Sequence, residues 1–263
     1  MTSHGGDGKI YRVGERVACG SSCAPAGENY SGTFGALVKY NNELYAISNN
    51  HVFSACNHVP DKMPIMSPAN ADSFSGLDNH GKPSGAPQAF CYCDTKLSVA
   101  LHSGCPSFVT PNKLDLSFAK IIDQDKVSSW QGDSQQGYDT PSSWKNPCSR
   151  MAVKKFGRST GLTHGIIQYE ILDQYPIYYQ SRHISGWYWF NHSAWIAKPL
   201  NDEADEAFAT YGDSGSLVVT EDGNFAVGMV FAIEENKTYI LPMEDIMKQH
   251  NNLRLVNNHG ISP

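Results

Sequence analysis

The sequence predicts an all-β protein of two antiparallel barrels joined by a linker near residue 135. Three observations carry this. Helical periodicity is scarce. Short apolar runs bounded by Gly, Asn, Asp, Ser and Pro dominate, as expected of antiparallel strands. A polar stretch at 123–150, rich in Ser, Gln, Asp and Pro, divides the chain into halves of similar character.

In chain order, residues 1–9 read as a flexible tail. Residues 10–122 form the first half, with strands expected from Phe34 to Tyr40, Glu43 to Ser48 and Leu116 to Ile122. Asn41-Asn42 reads as a tight hairpin turn, because asparagine tolerates positive φ. Residues 57–90, rich in Pro, Gly, Ser and Asn, read as a long surface loop. In the second half, 151–263, strands are expected from His164 to Leu172, Ser216 to Thr220 and Phe225 to Ala232, the last two joined by a turn at Glu221-Asp222-Gly223-Asn224. A helix from Met243 to His250 follows Pro242, which suits a helix start.

Of the 263 residues, 40% are apolar and 17% charged. Such a chain buries a core and is not disordered. The net charge of −6 and the lack of any basic cluster argue against nucleic acid as a partner. No apolar stretch approaches the ~20 residues that span a bilayer. The segment after Met1 lacks the apolar region of a secretory signal, so with Met1 as the natural start a cytoplasmic protein is expected. The seven cysteines are an odd number, which fits reduced thiols better than a disulfide framework. Cys19/Cys23 and Cys91/Cys93 could offer four thiolates to zinc, but neither pair has the usual two-residue spacing. No metal or cofactor is expected.

Three segments carry candidate chemistry. In Tyr211-Gly212-Asp213-Ser214-Gly215-Ser216, a serine flanked by glycines on a tight turn exposes its hydroxyl and leaves backbone N–H groups nearby. An acyl-transfer nucleophile needs that reach and that oxyanion site; Gly, Asp and Ser are equally the residues of an ordinary turn. His51 follows the apolar run Leu44-Tyr45-Ala46-Ile47, at the end of a strand, where catalytic groups tend to sit. Asp115 is a single charge within Leu114-Asp115-Leu116-Ser117-Phe118-Ala119. Buried there, it needs a partner; at a sheet edge, it would simply face water.

Together these segments resemble the trypsin-like serine peptidases. Ala46-Ile47-Ser48-Asn49-Asn50-His51-Val52 is similar to the family's segment around its histidine. Leu114-Asp115-Leu116-Ser117-Phe118 is similar to its aspartate segment, with Ser117 where Ala is usual. Gly212-Asp213-Ser214-Gly215 is similar to its nucleophile motif, with Ser216 in place of a second Gly, and the order His, Asp, Ser agrees. Lys154-Lys155-Phe156-Gly157-Arg158-Ser159-Thr160-Gly161-Leu162-Thr163-His164-Gly165 resembles a pattern opening the second barrel of bacterial cytosolic relatives; read alone, it is a turn between strands.

The resemblance implies two six-stranded barrels of the chymotrypsin type with a C-terminal helix. It implies a serine endopeptidase acting on protein or peptide substrates, with Ser214 as nucleophile, His51 as base and Asp115 orienting the base. The backbone N–H groups of Gly212 and Ser214 would form the oxyanion hole. Phe208, Ala209, Thr210 and Tyr211 would line the substrate site with Phe231, Ala232 and Ile233, the last three pairing with the substrate backbone. Phe208 stands where trypsin has an acidic residue, which argues against simple Lys/Arg specificity, although Asp205 or Glu206 could reach in. The alternatives are a degraded site serving as a binding module, and an esterase of another fold, which the chain order of the residues disfavours. Control by a regulatory protein partner is suggested by the acidic Asn201–Ala207 segment and the 57–90 loop; a constitutively active enzyme of narrow specificity is the alternative.

Overall fold

Ala36–Tyr40 and Glu43–Ser48 form the hairpin that Asn41-Asn42 predicts. Both asparagines have positive φ, 47° and 65°, the conformation of the hairpin turn whose twist matches its strands. In this computed structural model, which describes residues 9–73, 85–201, 207–234 and 236–262, that hairpin lies in an eight-stranded sheet. The order is Arg254–Leu255, Ala36–Tyr40, Glu43–Ser48, Ser117–Ile121, Gln88–Asp94, Pro64–Ser67, Ser22–Pro25 and Gly32–Thr33.

The second half is a closed antiparallel barrel of six strands, in the order Ala152–Gly157, Gly161–Ile171, Ala194–Pro199, Lys237–Pro242, Ala226–Glu234 and Leu217–Thr220. The first half differs from the expected second barrel. Gly32–Thr33 and Ala36–Tyr40 lie near opposite ends of its sheet, yet only Phe34-Gly35 separates them in the chain. There the ladder breaks: the Phe34 N–H bonds Ser21 O, and the Gly35 N–H bonds Ile47 O. The sheet therefore curls without closing. The chain's end returns to this half, where Arg254–Leu255 pairs with Ala36–Tyr40. Within 123–150, Val127–Gln131 pairs in parallel with Arg16–Cys19 and antiparallel with Tyr138–Asp139. The expected helix is short, Met243–Met247.

Alternation places the cores. Leu37, Leu44, Ala46 and Ala119 face a core inside the first half. Their neighbours Val38, Tyr45, Ile47 and Phe118 face the other way, into a core shared with Leu217, Met229, Phe231 and Leu241 of the second half. The barrel interior is filled by Val153, Ile167, Ala197, Val218, Val230 and Ile240. The seam between halves is thus itself a packed core, and the candidate residues lie on it. No helix of the described residues is long and apolar enough to cross a membrane.

Candidate active site

Strand pairing brings His51 to Asp115. Ser48 is opposite Ser117 in an antiparallel ladder. The chain three residues after Ser48 and two before Ser117 therefore leaves the sheet at the same end. There Asn50–Phe53 makes one helical turn, and Asn49 Nδ2 donates to Asp115 O at 2.9 Å. Asp115 is fully buried. Its Oδ2 lies 2.6 Å from His51 Nδ1, and its Oδ1 accepts the His51 backbone N–H at 3.1 Å. A carboxylate only accepts, so Nδ1 carries the ring proton and Nε2 presents its lone pair. The His51 side chain keeps 18% of its surface exposed, so that lone pair is reachable.

The Ser214 loop rests on the seam. Ser214 O accepts the Thr33 N–H at 2.8 Å, and the Gly215 N–H bonds Val230 O at 2.8 Å. Gly215 has φ of +95° and sits so close to Ser48 Oγ and Thr33 O that no Cβ would fit, so only glycine serves. Among the described residues no hydrogen bond joins Ser214 Oγ to His51, and none uses the backbone N–H of Gly212 or Ser214. Two free N–H groups beside a serine hydroxyl are what an oxyanion site requires.

Behind the loop, buried Asp213 is held on every side. Its Oδ1 accepts the Ser159 N–H at 2.8 Å and the Thr160 N–H at 3.2 Å. Its Oδ2 accepts Thr160 Oγ1 at 2.8 Å and the Thr210 N–H at 3.0 Å. Lys155 Nζ lies 3.4 Å from the same oxygen, both side chains fully buried. Burial pulls the Lys155 pKa down, and Asp213 opposes it. The turn after Phe156, which sequence alone reads only as a turn, is therefore the grip on the Ser214 loop. Its next residue orients a peptide: Ser159 Oγ donates to Tyr211 O at 2.7 Å. In a trans peptide C=O and N–H point oppositely, so this bond aims the Gly212 N–H away from Ser159.

Phe208 and Ala209 are buried in the barrel core, with the Phe208 ring 5.9 Å from Lys155 Nζ. Thr210 and Tyr211 are exposed. Phe231 packs among Tyr175, Phe190, His192 and Tyr239. Ala232 and Ile233 pair with Tyr239 and Thr238 on one edge. On the other edge, pairing with Leu217–Thr220 ends at Met229, and no strand of the described residues continues it. Asp205 and Glu206 lie outside the described residues. A cavity of about 660 Å³, lined by Cys56, Asn57, His58, Leu101, His102 and Tyr188 among others, opens near His51; the Tyr188 ring is 5.2 Å from that of Tyr179, which stacks on His51.

Solved structures identify this architecture. Thermobifida fusca protease A matches with a TM-score of 0.56 at 16% identity, over 92% of this chain and all of its own. A Nocardiopsis protease matches at 0.56 and 13%, over 90% and 97%. Cellulomonas bogoriensis chymotrypsin matches at 0.54 and 15%, over 92% and 98%. The chain has the fold of the trypsin/chymotrypsin-like serine proteases. No protein-family model and no curated protein matches it. At these identities the trypsin-like likeness is one of fold; what the site does is argued from its own geometry.

Proposed function

We propose that this trypsin-like chain is a serine endopeptidase working through an acyl-enzyme on Ser214. The observation that carries the reading is the 2.6 Å contact between His51 Nδ1 and buried Asp115. It fixes the tautomer a general base needs. His51 Nε2 takes the Ser214 proton as Oγ attacks the scissile carbonyl. The Gly212 and Ser214 N–H groups receive the developing oxyanion. The imidazolium then gives its proton to the leaving amine, and water repeats the sequence to release the acid. The open edge of Phe231, Ala232 and Ile233 offers the substrate backbone a strand to pair with.

The missing Ser214–His51 bond favours one competing reading, a peptide-binding module with a degraded site. Hydroxyl–imidazole contacts are often loose before substrate binds, and the two free N–H groups favour the enzyme. All seven cysteines are free thiols, which suits a reducing, cytoplasmic location. Of the two modes of control, the assembled loop around Asp213 supports an enzyme competent without a partner; the acidic segment invoked for latency falls largely outside the described residues. A peptide-library cleavage profile, run beside Ser214→Ala and Asp115→Asn, tests the assignment. Cleavage lost in both variants supports it; a binding module would retain peptide affinity in all three and cleave with none.

A further inference from the structure

A hairpin of the second half, Tyr175–Gln180 with Ser185–Phe190, crosses to the first. Its side chains alternate: Tyr175, Ile177 and Tyr179 are buried, and Pro176, Tyr178 and Gln180 are exposed. Its tip turns with the Ser181 N–H on Ile184 O at 2.8 Å and is fastened to the first half. There His183 Nε2 lies 2.8 Å from Glu28 Oε1, and the His183 ring stacks on His58 at 5.7 Å and 11°.

This geometry delivers Tyr179 to the triad. Its hydroxyl donates to Asp115 Oδ2 at 2.6 Å, the same oxygen that His51 Nδ1 uses. Its ring lies 4.8 Å from the imidazole, inclined by 25°. We infer that Tyr179 is a positioning residue of the site: it holds the imidazole plane by stacking and shares the Asp115 charge, setting how strongly that charge stabilises the imidazolium of His51. The inference rests on the peptidase reading and names a fourth participant in it.

Two observations support a graded role over mere packing. Burial, Asp115 and the hydrogen bond push the Tyr179 phenol well above its usual range, so it keeps its proton and only donates. Four further groups that feel the Asp115 charge are each pushed toward their neutral form. Burial raises Cys56 and Tyr175, raises Tyr188 to about 12, and lowers His192 to about 4. His51 and Tyr179 therefore compete for one carboxylate oxygen. A donor removed from a shared carboxylate leaves more of its charge for the remaining partner.

The test is Tyr179→Phe, which keeps the ring and removes only the hydroxyl. Its exposed neighbour Tyr178→Phe, which loses a bond to Ser185 Oγ, is the control. Two readouts are taken: the pH profile of kcat/KM, and the His51 imidazole titration by NMR, assigned with His51→Gln. Tyr179→Phe should move the acid limb and the imidazole midpoint upward together by about one pH unit. Tyr178→Phe should move neither. An unchanged midpoint in a folded Tyr179→Phe overturns the inference. The NMR arm needs no turnover, so a chain that cleaves nothing but shows the shifted midpoint supports this inference while refuting the peptidase reading.

Discussion

Two buried aspartates divide the work of the site. Asp115 fixes the proposed base His51, and Asp213 fixes the loop that carries Ser214, the proposed nucleophile. Asp115 was legible because a lone charge in an apolar run asks for a partner. Lys155 was not: in Lys154-Lys155 nothing distinguishes the lysine facing Tyr138 from the one buried against Asp213, since only the strand's phase decides which points inward. His192, half-buried, is another ionisable residue with a measurable consequence. It is wedged against Tyr175, Phe190 and Phe231, and desolvation lowers its pKa from 6.5 to about 4, against an opposing bond to Ser193 O. Between those values the unfolded chain takes up a proton that the folded chain refuses, so stability falls as pH falls through that window. Its ring reaches solvent in part, and roughly 2 kcal/mol is expected from this group. Urea unfolding at about pH 7 and about pH 4.5 should show a smaller loss for His192→Gln than for the native chain; equal losses would exclude the effect.

At the level of elements, the proposed oxyanion site is a loop held from outside by the strand Gly32–Thr33 and the turn at Ser159. Thr33 Oγ1 donates to Gly212 O at 2.8 Å, and Ser159 Oγ to Tyr211 O at 2.7 Å. The two bonds orient the peptides on either side of Gly212. Ser159→Ala frees the first peptide to rotate, and the N–H it should offer the oxyanion is then only part-time available. We expect kcat to fall about tenfold or more, with KM little changed, because the bond matters most once charge develops. A change confined to KM would contradict this role. The hairpin carrying Tyr179 went unread in the sequence, although Tyr175-Pro176-Ile177-Tyr178-Tyr179-Gln180 alternates. Pro176 demotes the run as a strand, and the turn at Ser181-Arg182-His183-Ile184 contains no glycine to announce it. The six strands that were read had clear apolar runs and stood beside turn residues such as Asn41-Asn42 and Gly223-Asn224.

For the molecule as a whole, the mostly-β class was legible, while long-range closure was not. Nothing local tells Ser22–Pro25 that its partner is Pro64–Ser67, or that Phe34-Gly35 must break a ladder and leave the first sheet open. The halves are joined by the shared core and by a buried ion pair. Asp72 of the first half holds Arg158 of the second, Nε to Oδ2 at 2.8 Å with a second bond from Nη2 to Oδ1, and Arg158 Nη1 reaches Ser159 Oγ at 3.0 Å. Asp72→Ala leaves that guanidinium buried against a void and should cost about 3 kcal/mol in urea unfolding; a loss under about 1 kcal/mol would mean the pair behaves like an exposed one.

The proposed enzyme requires an activated Ser214 in the isolated chain. Reaction with a fluorophosphonate, followed by mass spectrometry of the digested protein, reads that activation directly. One adduct per chain is expected, on Ser214, absent after Ser214→Ala and strongly slowed after His51→Gln. An isolated, folded chain that takes up no probe, or takes it up equally well with His51 replaced, would contradict it.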